Sequence, residues 1–408
     1  MRFTIWPFER THPRLLPAIL CVIAAAIVGP ASQRETLSAS TEQHRPSYFV
    51  YVGTYTGADS KGIYGYRFDE GAGGLAPLRD ASEIVNPSWV VTDPAHRHFY
   101  AVTEMIEPGP NAYKVNGYIS SFSIDPRTGS LTFLNKVSSG GGGPCHLVVD
   151  KMGKILFVAN YGSGNVASFA IEGDGRIGAM TGLDQQKGQS VDPRRQAGPH
   201  AHAVVISPDN RFLFVPDLGL DRILIYRIDA AKRTFAPNNP AYVSVKPGLG
   251  PRHFVFGAGA RFAYVLCEMG STVVAFSYHH ASGKLTAVQA VSTLPTDFSG
   301  EDNSAEIQIG PSGQFLYASN RGNDSITIFK IDTRTGLLEK IQIVPTQGKT
   351  PRNFVIDPTG KYLLAANQDS NEIVVFAIDP GSGQLTPTGQ VVHISSPVCI
   401  LFVPAQAP

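Results

Sequence analysis

Apolar and polar residues alternate in short runs along most of the chain, which is the period of half-buried strands. One four-residue pattern recurs: an aromatic, any residue, an apolar or aromatic residue, then usually an acid. It reads Tyr66-Arg-Phe-Asp69, Phe122-Ser-Ile-Asp125, Phe169-Ala-Ile-Glu172, Tyr226-Arg-Ile-Asp229, Phe276-Ser-Tyr-His279, Phe329-Lys-Ile-Asp332 and Phe376-Ala-Ile-Asp379. The steps between these are 56, 47, 57, 50, 53 and 47 residues. A turn follows each, usually Gly-x-Leu, as at Gly129, Gly283, Gly336 and Gly383. Ahead of each lies an apolar strand that tends to end in a polar residue, such as Leu156–Asn160, Leu213–Asp217, Leu316–Asn320 and Leu363–Asn367. A shorter strand precedes that one, often opened by proline, as at Pro87, Pro144, Pro251 and Pro351.

Each unit therefore predicts four strands, and no segment of helical period interrupts them. Four-stranded sheets repeated radially make a β-propeller. A linear solenoid needs terminal caps with polar outer faces, and none is visible. Instead Pro397–Val403 matches the first strand of a unit and Tyr48–Val52 matches the second. The two ends can share one blade, which hides two sheet edges. The expectation is an all-β, seven-bladed β-propeller of four-stranded blades over residues 48–404, its ring closed by the N- and C-terminal strands in one blade.

The beginning of the chain has another character. Arg2, Arg10 and Arg14 precede an apolar run, Leu15–Val28, followed by Gly29-Pro-Ala-Ser32. This is the layout of a secretory signal peptide over residues 1–32, with 33–47 a polar, flexible lead-in. The run is shorter than the ~20 residues of a bilayer-spanning helix. Export to the periplasm or the extracellular space is the expectation, with no stable membrane span after cleavage. Cleavage would leave Cys145, Cys267 and Cys399. An odd count does not make a disulfide framework, and each lies in an apolar stretch that predicts a buried thiol.

Composition narrows the function. Lys+Arg 34 nearly balances Asp+Glu 33, which argues against a strongly basic surface and so against nucleic acid as a partner. Gly140–Gly143 lacks the Lys-Ser/Thr and following helix of a P-loop and reads as a flexible loop. His200-Ala-His202 alternates like a strand and could face two ligands one way, but no third Cys, Asp or Glu stands at a recognisable spacing, so neither a metal nor another cofactor is expected. No G-x-S-x-G elbow is present, so hydrolysis would use an activated water.

Aligning the units yields two columns of candidate rim residues. Early in the first strand stand Trp89, His146, His202 or Ala203, His253, Glu306, Asn353 and Cys399. At the end of the second strand stand Glu104, Tyr161, Leu218, Glu268, Arg321 and Gln368. Divergence toward ionisable residues at equivalent positions points to a site shared by several blades.

Several motifs in one order then carry a resemblance. Tyr51-Val-Gly-Thr-Tyr-Thr56, Gly-Pro-Cys-His146, Ala-Asn-Tyr-Gly162-Ser-Gly-Asn165, Gly-Pro-His-Ala-His202, Gly-Pro-Arg-His253, Cys267-Glu268 and Ser-Asn-Arg321 resemble the seven-bladed lactonase family. That family includes propeller-type 6-phosphogluconolactonases and fungal carboxy-cis,cis-muconate lactonizing enzymes. The resemblance implies a metal-independent site on one propeller face that uses a histidine, two arginines and a glutamate. These map onto His202 (with His200 an alternative in the same motif), Arg252, Arg321 and Glu268, with His146, His200, His253 and Glu306 completing the substrate pocket. Either Glu268 or His202 could take the proton of water, and the arginines could hold an anionic group and the oxyanion. The implied activity is opening of a sugar-type lactone, with a small anionic or sugar-lactone substrate. The alternatives are a non-catalytic exported propeller that binds a partner or glycan, and a muconate-type lactonizing cycloisomerase.

Overall fold

The computed structural model describes residues 47–57, 59–78, 82–105 and 115–406. The predicted signal peptide, and the lead-in up to residue 46, lie outside the described residues. Among the described residues no helix is long and apolar enough to cross a membrane.

Seven antiparallel sheets follow one another, each running from a buried first strand to an exposed fourth. Blade one comprises Val90–Thr92, His98–Thr103, Asn116–Ile124 and Leu131–Gly142; blade two comprises Pro144–Val149, Ile155–Asn160, Asn165–Ile171 and Ile177–Gln185. Blade three is Val205–Ile206, Phe212–Asp217, Arg222–Asp229 and Thr234–Ser244, and blade four is Pro251–Phe256, Phe262–Cys267, Thr272–His279 and Lys284–Ser292. Blade five is Asn303–Ile309, Phe315–Arg321, Ser325–Ile331 and Leu338–Pro345, and blade six is Pro351–Ile356, Tyr362–Asn367, Glu372–Ile378 and Leu385–His393. The seventh blade is shared: Pro397–Ala405 pairs with Ser47–Thr54, with Val52 opposite Ile400 and Val50 opposite Phe402. Gly62–Phe68 and Leu75–Pro77 complete it, with Ser82–Glu83 also pairing on Gly62–Phe68. The ring closure expected from the two ends is therefore the one observed.

The core lies between blades, because each sheet is apolar on both faces. Phe212, Phe214 and Ile223 of blade three pack on Phe254, Val265 and Phe276 of blade four, and similar clusters occupy the other junctions. A fully buried side chain of this size contributes ~1.5–3 kcal/mol, so the junctions hold the ring. The Gly-x-Leu turns serve the same joints. Gly283, Gly336 and Gly383 take φ between 72° and 77°, and a Cβ there would come within 2.3–2.8 Å of Phe212, Phe262 or Phe315 in the preceding blade. Glycine is demanded by both the left-handed backbone and the approaching ring.

Two local expectations change. Gly140–Gly142 is not a loop but the end of strand Leu131–Gly142. A Cβ on Gly141 would meet Ser163 Oγ at 2.4 Å and Asn165 Oδ1 at 2.6 Å, so these glycines admit polar side chains of blade two against the backbone. His200-Ala-His202 is not a regular strand either. Only Ala201 bridges to Asp217, and the ladder of blade three's first strand shortens to Val205–Ile206. The reason is local: the Asp217 carboxylate takes the His200 N–H at 2.8 Å, and the Val204 N–H turns to His146 Nδ1 at 3.4 Å.

Candidate active site

Glu268, immediately after the second strand of blade four, is the centre of the site. Its backbone is tied to Gly250, whose carbonyl accepts the Glu268 N–H at 2.7 Å. Its carboxylate receives three guanidiniums. Arg195 Nη2 donates to Oε1 at 2.6 Å, and Arg252 Nε and Arg321 Nη2 reach Oε2 at 2.9 and 3.0 Å. His202 Nε2 stands 3.7 Å from the same Oε2. The four mapped catalytic residues therefore converge, drawn from blades three, four and five.

A cavity of about 300 Å³ opens beside them, lined by Glu104, Tyr161, Arg195, His202, Glu268 and Arg321, with Cys145, Asn303 and Arg352 completing the wall. The second rim column thus supplies Glu104, Tyr161, Glu268 and Arg321 to one cavity, while Leu218 is buried and Gln368 stands away from it. Most of the first column lies behind the wall. Arg252 Nη1 donates to Ala305 O at 2.5 Å and contacts His253 Nε2 at 3.1 Å. A guanidinium only donates, so His253 Nε2 accepts and the ring proton sits on Nδ1, which faces Glu306 Oε2 at 3.3 Å. Glu306 also accepts from Asn353 Nδ2 at 2.6 Å and from the Ile307 N–H at 3.0 Å. His146 stacks on Trp89, with ring centroids 4.1 Å apart, and meets the edge of His253. His146, His253 and Glu306 are absent from the cavity lining, as is Arg252 itself; they form a buried cluster joined to Arg252 through His253. His200 is also outside the lining; it stacks on Tyr161 and its Nδ1 lies 2.8 Å from the Tyr161 carbonyl. Of the two histidines in that motif, His202 is the one at the cavity.

Electrostatics separate the roles further. Burial works to raise the Glu268 carboxyl, but the charges of Arg321, Arg252 and Arg195 overcome it and hold the group far below the usual carboxylate range. Burial, and then the neighbouring Arg321 charge, brings Arg252 down to about 10 against the pull of Glu268. Burial is also the main cause that holds His202, His253 and His146 well below the ordinary histidine value, helped by Arg252 for the first two and by His253 for the third. These imidazoles are neutral at pH 7. Burial lifts Glu306 to about 7 against Arg252, the Ile307 amide and Asn353. Cys145 is a buried thiol whose Sγ lies 3.9 Å from His202 Nδ1; burial and the Glu104 charge push it up, away from thiolate chemistry. Cys267 and Cys399 are buried free thiols as well. Among the described residues no three His, Cys, Asp or Glu side chains are grouped as metal ligands.

A model of the family described as "Lactonase, 7-bladed beta-propeller" matches residues 49–402. The chain belongs to that family. This propeller lactonase is 32% identical to a 6-phosphogluconolactonase of Bacillus subtilis over 87% of its own length and 98% of that protein. A 6-phosphogluconolactonase of Formosa agariphila is 35% identical, with 76% and 86% covered. Among solved structures it is similar to the periplasmic gluconolactonase of Pseudomonas aeruginosa, with a TM-score of 0.81 and 36% identity over 88% of this chain and 99% of that one. The lactonase site also holds residues that sequence reasoning missed. Arg352 stands in Pro351-Arg-Asn353 at the place of Arg252 in Pro251-Arg-His253, so the repeat itself carried the signal. Arg195 lies in the segment between Gln185 and Val205, outside the repeat; the 57-residue step into Tyr226 was its only trace.

Proposed function

We propose that this lactonase opens a sugar-type lactone by attack of water, without a metal ion. The observation that carries the reading is the Glu268 carboxylate, shared by Arg195, Arg252 and Arg321, beside a neutral His202 on one cavity. Both oxygens of that carboxylate are already occupied by guanidinium donors, so it is poorly placed to take a proton from water. The geometry favours His202 instead. Its neutral ring takes the proton of the attacking water, and Glu268, 3.7 Å from Nε2, stabilises the imidazolium that forms. Water adds to the carbonyl carbon, and the guanidinium of Arg321, on the cavity, offsets the charge on the tetrahedral oxygen, while the buried Arg252 holds Glu268 in place. As the intermediate collapses, the ring C–O bond breaks and the leaving oxygen takes the proton back from His202. The product is the open hydroxy acid. Guanidiniums already occupy Glu268, the carboxylate a Lewis-acid metal would need, which supports the metal-free route.

The arginine-rich leader supports export of the chain, and the periplasmic gluconolactonase among its structural relatives is in keeping with that. Proton release from a panel of lactones, measured against spontaneous opening at each pH, tests the activity. Acceleration undiminished by EDTA is expected. Loss of the rate in chelator would overturn the metal-free route. No acceleration of any lactone, with ligand binding retained, would leave a non-catalytic propeller.

A further inference from the structure

The three guanidiniums on Glu268 are not equivalent. Arg252 is 3% exposed and fixed by Glu268, His253 and Ala305. Arg321 is 14% exposed and holds Asn303 O at 3.1 Å and Ser304 O at 3.3 Å as well as the carboxylate. Arg195 is 37% exposed, and its polar contacts, Glu268 Oε1 and the Tyr161 hydroxyl at 3.4 Å, both run through Nη2. An arginine has five N–H donors in a fork suited to a carboxylate or phosphate, so Arg195 keeps donor capacity inside the cavity wall.

Its backbone is nevertheless fixed. Asp192 Oδ1 accepts the N–H groups of Arg194 and Arg195 at 2.7 and 3.0 Å, and the Gln196 N–H returns to Asp192 O at 2.8 Å. The turn is then pinned to blade three: Gln196 Nε2 reaches Leu218 O at 2.9 Å and Asp221 Oδ2 at 2.8 Å, and Ser190 Oγ reaches the same Asp221 oxygen at 2.6 Å. A segment outside the repeat is thus anchored so that one cationic head group stands at the cavity. Charge around the cavity is also unequal. Arg195, Arg321 and Arg352 line it with Glu104 and Glu268, three cations against two anions. Such an excess in a largely buried site costs free energy unless an anion enters.

We propose that Arg195 is a specificity-determining residue that grips an anionic substituent of the lactone, a phosphate or carboxylate remote from the ring carbonyl, while Arg321 serves the reacting end. This rests on the lactone-hydrolase reading of the cavity.

The test compares wild type, R195Q and R195K on 6-phosphogluconolactone, on a glucaric acid lactone bearing a free carboxylate, and on uncharged glucono-δ-lactone. Loss of a charge-assisted contact is expected to raise KM for the charged lactones by ~30-fold. The uncharged lactone should change several-fold less, and R195K should recover part of the difference. A larger effect on the phosphate ester than on the carboxylate, or the reverse, identifies the substituent. Equal losses on charged and uncharged lactones, or no loss, would overturn the proposal. If wild type opens none of them, the hydrolase reading fails separately, and calorimetric binding of 6-phosphogluconate, glucarate and gluconate decides about Arg195. A preference in wild type for 6-phosphogluconate or glucarate over gluconate that shrinks at least ~10-fold in R195Q upholds it; an unchanged preference, or none in wild type, overturns it.

Discussion

Blade three and three of its sisters, blades two, five and six, leave the second strand on one kind of corner, and a single atom separates them. In blades two and six the last strand residue is Asn160 or Asn367, and in blade five Asn320 stands one short of the end. Each sends its Nδ2 to a carbonyl of the preceding blade, at Ser139 (3.1 Å), Thr293 (3.3 Å) and Thr346 (3.2 Å). Blade three has Asp217, which has no N–H to send. Its Oδ1 accepts from the amides of His200 and Leu220 at 2.8 and 3.1 Å, and its buried Oδ2 finds no partner among the described residues. In the sisters the corner staples blade to blade; in blade three it holds the segment that carries His202. The regular corners build the ring, and the irregular one helps to build the site. This is where the repeat is broken, and the extra segment that brings Arg195 enters directly before it.

Perturbing each side of this contrast has ranked consequences. The largest is expected for Glu268→Gln, which takes the shared anion from three guanidiniums. Lactone opening should fall by more than ~10³-fold and stability by ~3–5 kcal/mol, read from rates and urea melts. His202→Asn should lower kcat by ~10²–10⁴-fold with the melting temperature nearly kept, since it removes a base and not a charge partner. Asp217→Asn converts the irregular corner toward its sisters. Burial holds the Asp217 carboxyl at about 7, although the amides of His200, Leu220 and Gly219 pull it down, while its ordinary value is 3.8. The folded state therefore binds the proton more tightly, and wild type loses stability as pH climbs from about 4 to about 7, by at most ~4 kcal/mol. Asparagine lacks that loss. The variant should gain stability relative to wild type from pH 4 to pH 8, and a difference flat in pH would show that folding does not raise this carboxyl. The smallest effect belongs to a regular corner: Asn367→Ala should cost ~1–2 kcal/mol in denaturant melts and leave turnover intact.

The ring was legible in the sequence because every blade repeats the same packing problem. Tyr66, Phe122 and Phe376 recur because each third strand must fill a blade junction, and the glycines of the turns recur because a neighbouring ring leaves no room for a side chain. Glu268 and Arg321 were legible for the opposite reason, as ionisable residues at positions the repeat leaves aligned. That logic fails where the alignment does. It put His146, His253 and Glu306 on the rim, because a column shows which residues share a register and not how deep they sit. It passed over Arg195 because a loop outside the repeat has no column at all. It read His200 and His202 as one strand face, since alternation alone does not show that a side-chain carboxylate has taken a ladder amide.

The shared seventh blade also orders events in time. Val52 pairs with Ile400, 348 positions later in the chain. The strand Ser47–Thr54 has no inner partner until Pro397–Ala405 has been made, so the ring cannot close before then. Until that moment its edge stands open and can pair with another chain instead.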